Sequence, residues 1–281
     1  MRCAWSCREL VNAIHVKIPS WTHYFILCCV SIFFVVGLSA CQQEDDMHDL
    51  SGVVMLELRE TCVDQKRHVA LYAETREQYP CLNFFIEYAV IQGSSQTNVY
   101  FKGLQVPKIC LTALGPAMAI VETGLMNPGQ HPVNFHLNEE DLNTLFHLSE
   151  DLLQVELLSD NVEFLEFTEL EMHRLSDYHY WGYIQVLRSD SDKNAADFYE
   201  DLWDAGAQPV SLEPGNYGFF RIKEEEETIL FDGTYHRKVQ NPLLFQFDGD
   251  VDLLREVANN YSENLAISFS NPLGEHHDNQ Q

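Results

Sequence analysis

The stretch VMLELR, residues 54–59, has a branched apolar side chain at every second position. Val54, Leu56 and Leu58 occupy one set of alternate positions, and polar or flexible side chains, among them Glu57 and Arg59, occupy the other. Successive side chains of a β-strand point to opposite faces, so this pattern predicts a strand with one face in a core and the other in water. The stretch therefore predicts a β-rich fold around it.

The same kind of pattern recurs from residue 51 to about residue 170. Strands are predicted at residues 68–73, 82–91, 98–101, 109–111, 118–122, 132–137, 153–158 and 162–167, and one helix at residues 139–148. Turn sequences with Gly and Pro separate the strands, and NPGQHPVNF, residues 127–135, resembles the turn into a late immunoglobulin-like strand. We expect residues 51–170 to form a β-sandwich-like domain of the immunoglobulin type.

The pattern of predicted elements changes at about residue 175, where helices begin to alternate with strands. The sequence predicts strands at residues 180–187, 217–222, 243–247 and 265–269, and helices at residues 193–205 and 251–260. Asp192 and Asp250 are the expected N-caps of the helices, and Gly206 is expected to end the first one. The order βαββαβ predicts a ferredoxin-like α+β domain over residues 175–270.

Two segments complete this second half. Residues 223–240 are expected to form a long central hairpin that turns at Asp232-Gly233, because Asp-Gly is a strong hairpin signal. The polar tail, residues 271–281, is expected to be flexible.

The chain is strongly acidic, with 17 Lys and Arg residues against 43 Asp and Glu residues. Three of the bases and one of the acids precede Cys41, so the rest of the chain carries 14 bases and 42 acids, a formal charge of −28. Such a surface repels the phosphate backbone, which argues against a nucleic-acid partner. The charge also has a simpler interpretation, since a high net charge keeps an exposed protein soluble.

The chain begins with a leader whose apolar core is YFILCCVSIFFVVGLSA, residues 24–40. Its 17 residues are short for a membrane-spanning helix and slightly long for a signal-peptide core. An uncut anchor is the alternative, but Gln and acidic residues follow the core instead of the Lys and Arg that favour retention on the cytoplasmic side. Residues 1–15 are interpreted as a mis-annotated extension, with translation starting at Val16.

The end of the leader, Leu38-Ser39-Ala40-Cys41, resembles the lipobox of bacterial lipoproteins. The resemblance implies that residues 1–40 are a signal peptide, that Cys41 receives a diacylglyceryl thioether and fatty acyl chains such as palmitate, and that residues 41–50 are an acidic tether. It also implies a lipid-anchored protein of the outer membrane, with the membrane as partner through the lipid on Cys41.

The first residues after the cysteine resemble the export signal of Gram-negative surface lipoproteins. These residues are Gln42, Gln43, Glu44, Asp45 and Asp46. The alternative is a solvated polar tether with no addressing role. The resemblance implies exposure on the cell surface.

Four cysteines remain after the leader, namely Cys41, Cys62, Cys81 and Cys110. If Cys41 is acylated, an oxidising compartment leaves three thiols and one of them must be odd. Cys81 and Cys110 are the favoured disulfide, because both fall in predicted strands of one domain, and closing the loop would contribute roughly 3 kcal/mol. Cys62 could replace one of them in the pair or remain a buried free thiol.

No motif in the chain predicts catalysis, a cofactor or a metal site. Nucleophile elbows, phosphate-binding loops, zinc-protease signatures and dinucleotide fingerprints are absent from the sequence. The acids at residues 248–252 alternate as in a calcium loop but lack its later Gly and Glu, so they are interpreted as a loop and helix cap. We therefore expect no catalytic residues, no cofactor and no metal.

An aromatic cluster supplies the one candidate binding surface, made of Tyr178, Tyr180, Trp181 and Tyr183. Exposed aromatic rings commonly hold sugars and peptides, although alternation along a strand requires at least part of the cluster to be core. The sequence thus favours a non-enzymatic binding or structural module for a protein or glycan partner. The alternative is an envelope hydrolase with an unrecognised acid/base pair of carboxylates.

Overall fold

The computed structural model describes residues 47–111, 113–124, 127–159, 163–188, 195–224, 228–232, 235–239 and 241–281. These residues form a mainly β fold with three sheets and two short helices, which confirms the expected class. Asp46–Gln281 is one unit by its internal contacts. The first sheet ends at His173 and the second begins at His179.

The first sheet contains eleven strands: β1 (Met47–His48), β2 (Val54–Val63), β3 (Lys66–Thr75), β4 (Phe85–Gln92), β5 (Thr97–Gln105), β6 (Met118–Glu122), β7 (Gly129–Leu137), β8 (Glu140–Leu148), β9 (Leu152–Leu157), β10 (Leu165–Phe167) and β11 (Glu171–His173). Their order is β10-β2-β3-β6-β4-β5-β7-β8-β9-β11, with β1 added to β5. The two end strands, β10 and β11, are separated in the chain only by residues 168–170, so the sheet curls around its core.

The core of this sheet follows the alternation on which the strand predictions rest. Val54, Leu56 and Leu58 are fully buried against Phe135, and further apolar side chains from both halves of the sheet complete the cluster. The two halves meet through a single parallel pair, Phe85 with Met118. The sheet is therefore two curved layers around one core.

The second sheet contains β12 (His179–Val186), β13 (Gln208–Pro209), β18 (Pro242–Gln246), β19 (Leu265–Ser270) and β20 (His276–Asp278). Its order is β13-β18-β12-β19-β20, and all pairs are antiparallel. Helices α1 (Ala195–Asp204) and α2 (Val251–Asn259) cover one face, where their apolar residues pack on Tyr180, Phe245 and Phe269. Asp250 caps α2, as predicted, by accepting a hydrogen bond from the backbone N–H of Asp252.

A third sheet lies between β13 and β18 in the sequence. It is an antiparallel meander of β14 (Gly215–Asn216), β15 (Phe220–Ile222), β16 (Thr228–Asp232) and β17 (Tyr235–Val239). The predicted central hairpin corresponds to β16 and β17, and its turn at residues 233–234 lies outside the described residues. A small core around Trp181, Tyr217 and Phe220 joins this sheet to the uncovered face of the second one.

The third sheet is also attached to the first sheet at one close approach. The backbone N–H of Glu60 donates to the carbonyl of Gly218 at 3.1 Å, and Asn216 Nδ2 donates to the carbonyl of Leu58 at 2.8 Å. Gly218 has a φ of +77°, and a Cβ there would lie 3.1 Å from the backbone N of Glu60. A glycine is therefore required at this junction.

Three predictions of local structure are wrong. Residues 139–148, predicted as a helix, form β8, because a turn at Asn138, with a φ of +55°, folds this segment back on β7. Residues 109–111, predicted as a strand, lie in a loop that the disulfide holds. The tail, predicted as flexible, supplies β20 to the second sheet and buries Asn271 and Asn279.

Candidate functional site

A concave feature with convergent polar groups lies between the second and third sheets. Its walls are the outer face of β12, β19 and β20 on one side and the hairpin β16–β17 on the other; the lining side chains include Trp181, Tyr183, Phe231, Arg237, Ser268, Ser270, His276 and Asp278. We call this feature the interface groove. Its central cavity has a volume of about 320 Å³.

Strand alternation explains which residues reach the groove. Tyr180 points to the helices, and Trp181 and Tyr183 point to the opposite face, where the groove lies. The register pairs Ser270 with His276 and Ser268 with Asp278, which puts these four side chains on the same face. The groove floor is therefore a row of hydroxyl, imidazole and carboxylate groups beside two aromatic rings.

At one end of the groove, a guanidinium stacks on an aromatic ring. Arg237 Cζ lies 4.2 Å from the centroid of the Tyr183 ring, within the range of a cation–π interaction. A neighbouring cavity of about 490 Å³ shares these two residues and is also lined by Lys238, while no acidic side chain lines it. This end of the groove therefore carries local positive charge on a strongly acidic chain.

The other end of the groove continues into a cavity of about 420 Å³. Trp181 and Phe231 belong to both cavities, and Cys62 and Glu275 lie at the far end. Glu275 accepts a hydrogen bond from Asn271 Nδ2 at 2.6 Å. Burial raises the pKa of the Cys62 thiol, so the thiol stays protonated at neutral pH and is a weak nucleophile.

The hairpin wall of the groove is held in place by a buried carboxylate on β2. Glu57 accepts hydrogen bonds from Arg59 Nη2 at 2.9 Å, and its Oε2 lies 2.9 Å from His236 Nε2. Arg221 Nη2 lies 2.8 Å from Glu57 Oε1 and 3.2 Å from Glu169 Oε1, as close ionic contacts. We call Glu57 with its three partners Arg59, Arg221 and His236 the Glu57 cluster.

The three partners of Glu57 determine its charge state. Burial by itself would raise the pKa of Glu57, but the hydrogen bond from His236 and the charges of Arg59 and Arg221 outweigh it. The net result is a pKa below the ordinary value, so the carboxylate stays ionised. Glu57 is therefore an anionic anchor for the hairpin and is unsuited to act as a general acid.

A second buried carboxylate closes the core of the first sheet. The side chain of Glu60 is fully buried, accepts a hydrogen bond from Arg174 Nε at 2.6 Å and forms an ion pair with Arg67. Arg67 also donates to the carbonyl of Leu175 at 2.5 Å, next to the chain segment that leads into the second sheet. Both oxygens of Glu60 are thus engaged by arginines that tie the sheets together.

The structure separates the four predicted ligand-facing aromatics. Tyr180 is buried under the helices and stacks on Phe245, so it belongs to the part of the cluster that is core and does not face a ligand. Trp181 is also buried, with only an edge at the groove. Tyr183 lines the groove, whereas Tyr178 is 59% exposed and is not among the groove residues. Alternation put Trp181 and Tyr183 on one face, as predicted.

The predicted disulfide Cys81–Cys110 is present, with a Cα–Cα distance of 5.2 Å, and Cys62 is a free thiol. The residues of the lipobox and of the predicted export signal lie outside the described residues; they are Leu38, Ser39, Ala40, Cys41, Gln42, Gln43, Glu44, Asp45 and Asp46.

Most of the groove residues could not be identified from local sequence patterns. Phe231 and Arg237 line it only because the third sheet folds over the second, and a hairpin sequence carries no information about that packing. His276 and Asp278 were missed because the tail, residues 271–281, was expected to be flexible, and Ser270 because the predicted strand stopped at residue 269. The tail, NPLGEHHDNQQ, has no alternation of apolar and polar side chains, so no local signal indicated this edge strand.

The groove contains a serine–histidine contact. Ser270 Oγ lies 2.9 Å from His276 Nδ1, but these residues are a cross-strand pair, and no carboxylate is hydrogen-bonded to His276 among the contacts described. In the described part of the chain, no group of three or more His, Cys, Asp or Glu side chains is arranged to hold a metal ion. No helix in that part is long and apolar enough to cross a bilayer.

Comparison with family models, with curated proteins and with solved structures gave no match.

Proposed function

We propose that this chain is a lipid-anchored envelope protein, acylated on Cys41 and exposed at the cell surface, whose folded unit is a non-enzymatic binding module. The lipobox-like sequence at residues 38–41 supports the anchor, and the acidic residues that follow support export. The disulfide Cys81–Cys110 agrees with an oxidising compartment.

The proposed module has an immunoglobulin-like first half and a ferredoxin-like second half. Two curved layers around one core support the first assignment. The antiparallel order β13-β18-β12-β19, with α1 after β12 and α2 after β18, supports the second. In this proposal, the third sheet is an insertion between the second and third strands of the ferredoxin-like plan.

The proposed ligand is a negatively charged glycan bound in the interface groove. The observation that carries this proposal is the stacking of Arg237 on Tyr183, which offers a flat aromatic surface with a cation above it. Lys238 adds a second cation at the same end, and the hydroxyls of Ser268 and Ser270 line the floor. Sugars bind through aromatic faces and several hydroxyl contacts, and an acidic sugar adds an ionic contact to Arg.

A hydrolase has less support, because the described part of the groove offers no pair of carboxylates. Asp278 is the one acid among the described lining residues, and the buried acids Glu57 and Glu60 are both neutralised by arginines. A general acid in a glycosidase needs a raised pKa, whereas the pKa of Glu57 is lowered. The arrangement therefore favours binding over bond cleavage.

The ligand is tested by calorimetry on the folded protein with a tetramer of galacturonic acid and, as a neutral counterpart, an oligomer of galactose. We expect binding of the acidic oligomer only, weakened at least about tenfold in Arg237→Ala and in Tyr183→Ala, consistent with the loss of one charge-assisted contact. Arg255→Ala and Tyr178→Ala are matched controls, because neither residue lines the groove.

Two outcomes would contradict this ligand. If the neutral oligomer binds equally well, Arg237 makes no ionic contact with the ligand. If the affinity is unchanged in Arg237→Ala and Tyr183→Ala, the binding site lies outside the groove. If an acidic peptide binds and its affinity falls in the same two variants, the groove remains the binding site and the ligand is a protein partner instead of a glycan.

The export proposal has its own test. We expect deletion of Gln42–Asp46 to leave the protein in the outer membrane and to protect it from protease added to intact cells. Unchanged protease sensitivity of the deletion variant would show that these residues are only a tether.

A further inference from the structure

The folded unit carries exposed apolar side chains at one end of the first sheet, whereas the chain as a whole is strongly acidic. Ile109 is 76% exposed and Leu114 is 68% exposed, and Leu82, Phe85 and Leu111 are exposed beside them in the sequence segments 82–85 and 109–114. We call these five residues the apolar loop pair. Contiguous exposed apolar surface of this kind marks an interaction site more often than chance exposure does.

The two segments of the apolar loop pair are held together by covalent and polar links. The disulfide Cys81–Cys110 joins them, and Asn83 Nδ2 donates to the carbonyl of Ile109 at 2.7 Å. The backbone N–H of Leu111 donates to Asn83 Oδ1 at 3.1 Å, and the N–H of Leu82 donates to the carbonyl of Leu111. These links hold the two segments in place with their apolar side chains exposed.

The charge pattern changes at the same place. Residues 88–121 contain no Asp or Glu and two Lys residues, Lys102 and Lys108, in a chain with 43 acidic residues. Acidic side chains would be repelled by phosphate headgroups and would be costly to desolvate against a bilayer. This part of the chain is therefore the one whose charge is compatible with a lipid surface.

The tether joins the folded unit close to the apolar loop pair. Strand β1 begins at Met47 and pairs with the end of β5, Met47 with Gln105 and His48 with Leu104. The loop that carries Ile109 starts directly after Gln105, and Phe85 also pairs with Gln105. The chain from Cys41 to Met47 is six residues long, a reach of about 20 Å when fully extended. A lipid on Cys41 therefore holds this end of the folded unit near the bilayer.

We propose that the apolar loop pair docks on the bilayer surface and inserts Ile109 and Leu114 among the lipid headgroups. This inference rests on the proposed acylation of Cys41, and it adds a second, non-covalent contact that fixes the orientation of the folded unit. The acyl chains on Cys41 anchor the protein but do not set the orientation of the folded unit, and apolar side chains in the interface add a contact that fixes it. The groove, on the second and third sheets, is then presented by an oriented unit.

The test places a tryptophan reporter at each site of the lipidated full-length protein, in vesicles of phosphatidylcholine with brominated acyl chains. Ile109→Trp and Leu114→Trp are compared with Leu157→Trp, an exposed apolar position at the end of β9. The unsubstituted protein supplies the background of Trp181 and Trp203. We expect blue-shifted emission and at least about twofold quenching at positions 109 and 114, and neither effect at position 157.

Three outcomes would overturn the docking proposal. Water-like, unquenched emission at positions 109 and 114 in protein that floats with the vesicles would leave the anchor intact and exclude docking. Blue-shifted emission without bromine quenching would assign the surface to a second copy of the chain. Failure of the protein to float with the vesicles would overturn the acylation, and docking with it, and is distinguished from the other two by the flotation itself.

Discussion

His236 Nε2 lies 2.9 Å from Glu57 Oε2, a contact between residues 179 positions apart in the chain. The same nitrogen lies 2.8 Å from Arg59 Nη2. It can donate to the carboxylate or accept from the guanidinium, but one nitrogen cannot do both at once. Through this contact the edge strand β17, which carries Arg237 of the groove, is attached to the first sheet.

The Glu57 cluster predicts a large loss of stability when the carboxylate is removed. Glu57→Gln leaves the buried guanidinium of Arg59 without the charge of Glu57, while Arg221 keeps its contact with Glu169, and we expect the free energy of unfolding to fall by about 3–5 kcal/mol in urea titration. The control is Glu166→Gln, which removes an exposed ion pair with Arg76 and should change stability by less than about 1 kcal/mol. Equal losses in the two variants would contradict the proposed anchoring role.

The pH dependence of stability follows from the lowered pKa of Glu57. The pKa is lower in the folded state than its ordinary value of 4.5, so the contribution of Glu57 is fully present above about pH 4.5. It is lost as the pH falls through the lower folded-state pKa, because the folded protein then binds a proton at the expense of its arginine contacts. We expect unfolding free energies measured across the acid range to fall more steeply in the natural protein than in Glu57→Gln. Parallel acid profiles would contradict this assignment.

Loss of the disulfide should destabilise the fold and release the apolar loop pair. The bond closes a loop with a sequence separation of 29, and its removal in Cys81→Ser/Cys110→Ser should lower the free energy of unfolding by about 3–4 kcal/mol. Hydrogen exchange of residues 109–111 should become faster. Cys62→Ser is the control, and we expect a change within about 1 kcal/mol because this thiol is only partly buried. A double variant as stable as the control would show that the bond constrains nothing.

Gly182 is predicted to be irreplaceable for a steric reason. A Cβ at this position would lie 1.9 Å from the carbonyl oxygen of Ser268, on the neighbouring strand β19. Gly182→Ala must therefore separate β12 from β19, and we expect it to lower the melting temperature markedly, by the equivalent of about 1–3 kcal/mol or more. Gly93→Ala, where the added Cβ would meet only the carbonyl of Gln96 at 3.1 Å, should change it much less. Equal melting temperatures would contradict the close strand approach.

Local patterns predicted most strands and both helices, because alternation and capping depend on neighbouring residues. The exceptions have physical causes in distant contacts. Residues 139–148 carry apolar residues at both helical and strand spacings, and pairing with β7 and β9 decided in favour of the strand. Cys81 and Cys110 were paired correctly although neither lies in a strand, and the hydrogen bonds of Asn83 with residues 109 and 111 hold their two loops together.

The candidate site was less predictable than the fold. The alternation at residues 54–59 predicted that Glu57 and Arg59 face water, yet their exposed fractions are 4% and 3%. The third sheet covers them, and the packing of one sheet on another leaves no local trace in the sequence. Tyr183 was identified as a member of the aromatic cluster. Its partner Arg237 reaches it only because the third sheet packs on the second, and local sequence does not show that packing.

The central claim is the lipid anchor, and mass spectrometry of the mature N-terminal peptide tests it most directly. The protein is purified in detergent from cells of a lipoprotein-producing bacterium, and Cys41→Ala is the control. The account predicts an N-terminal peptide that begins at Cys41 and carries the mass of a diacylglyceryl group with fatty acyl chains, and no such peptide in the control. An unmodified Cys41, or a mature chain that still contains residues 24–40, would contradict it.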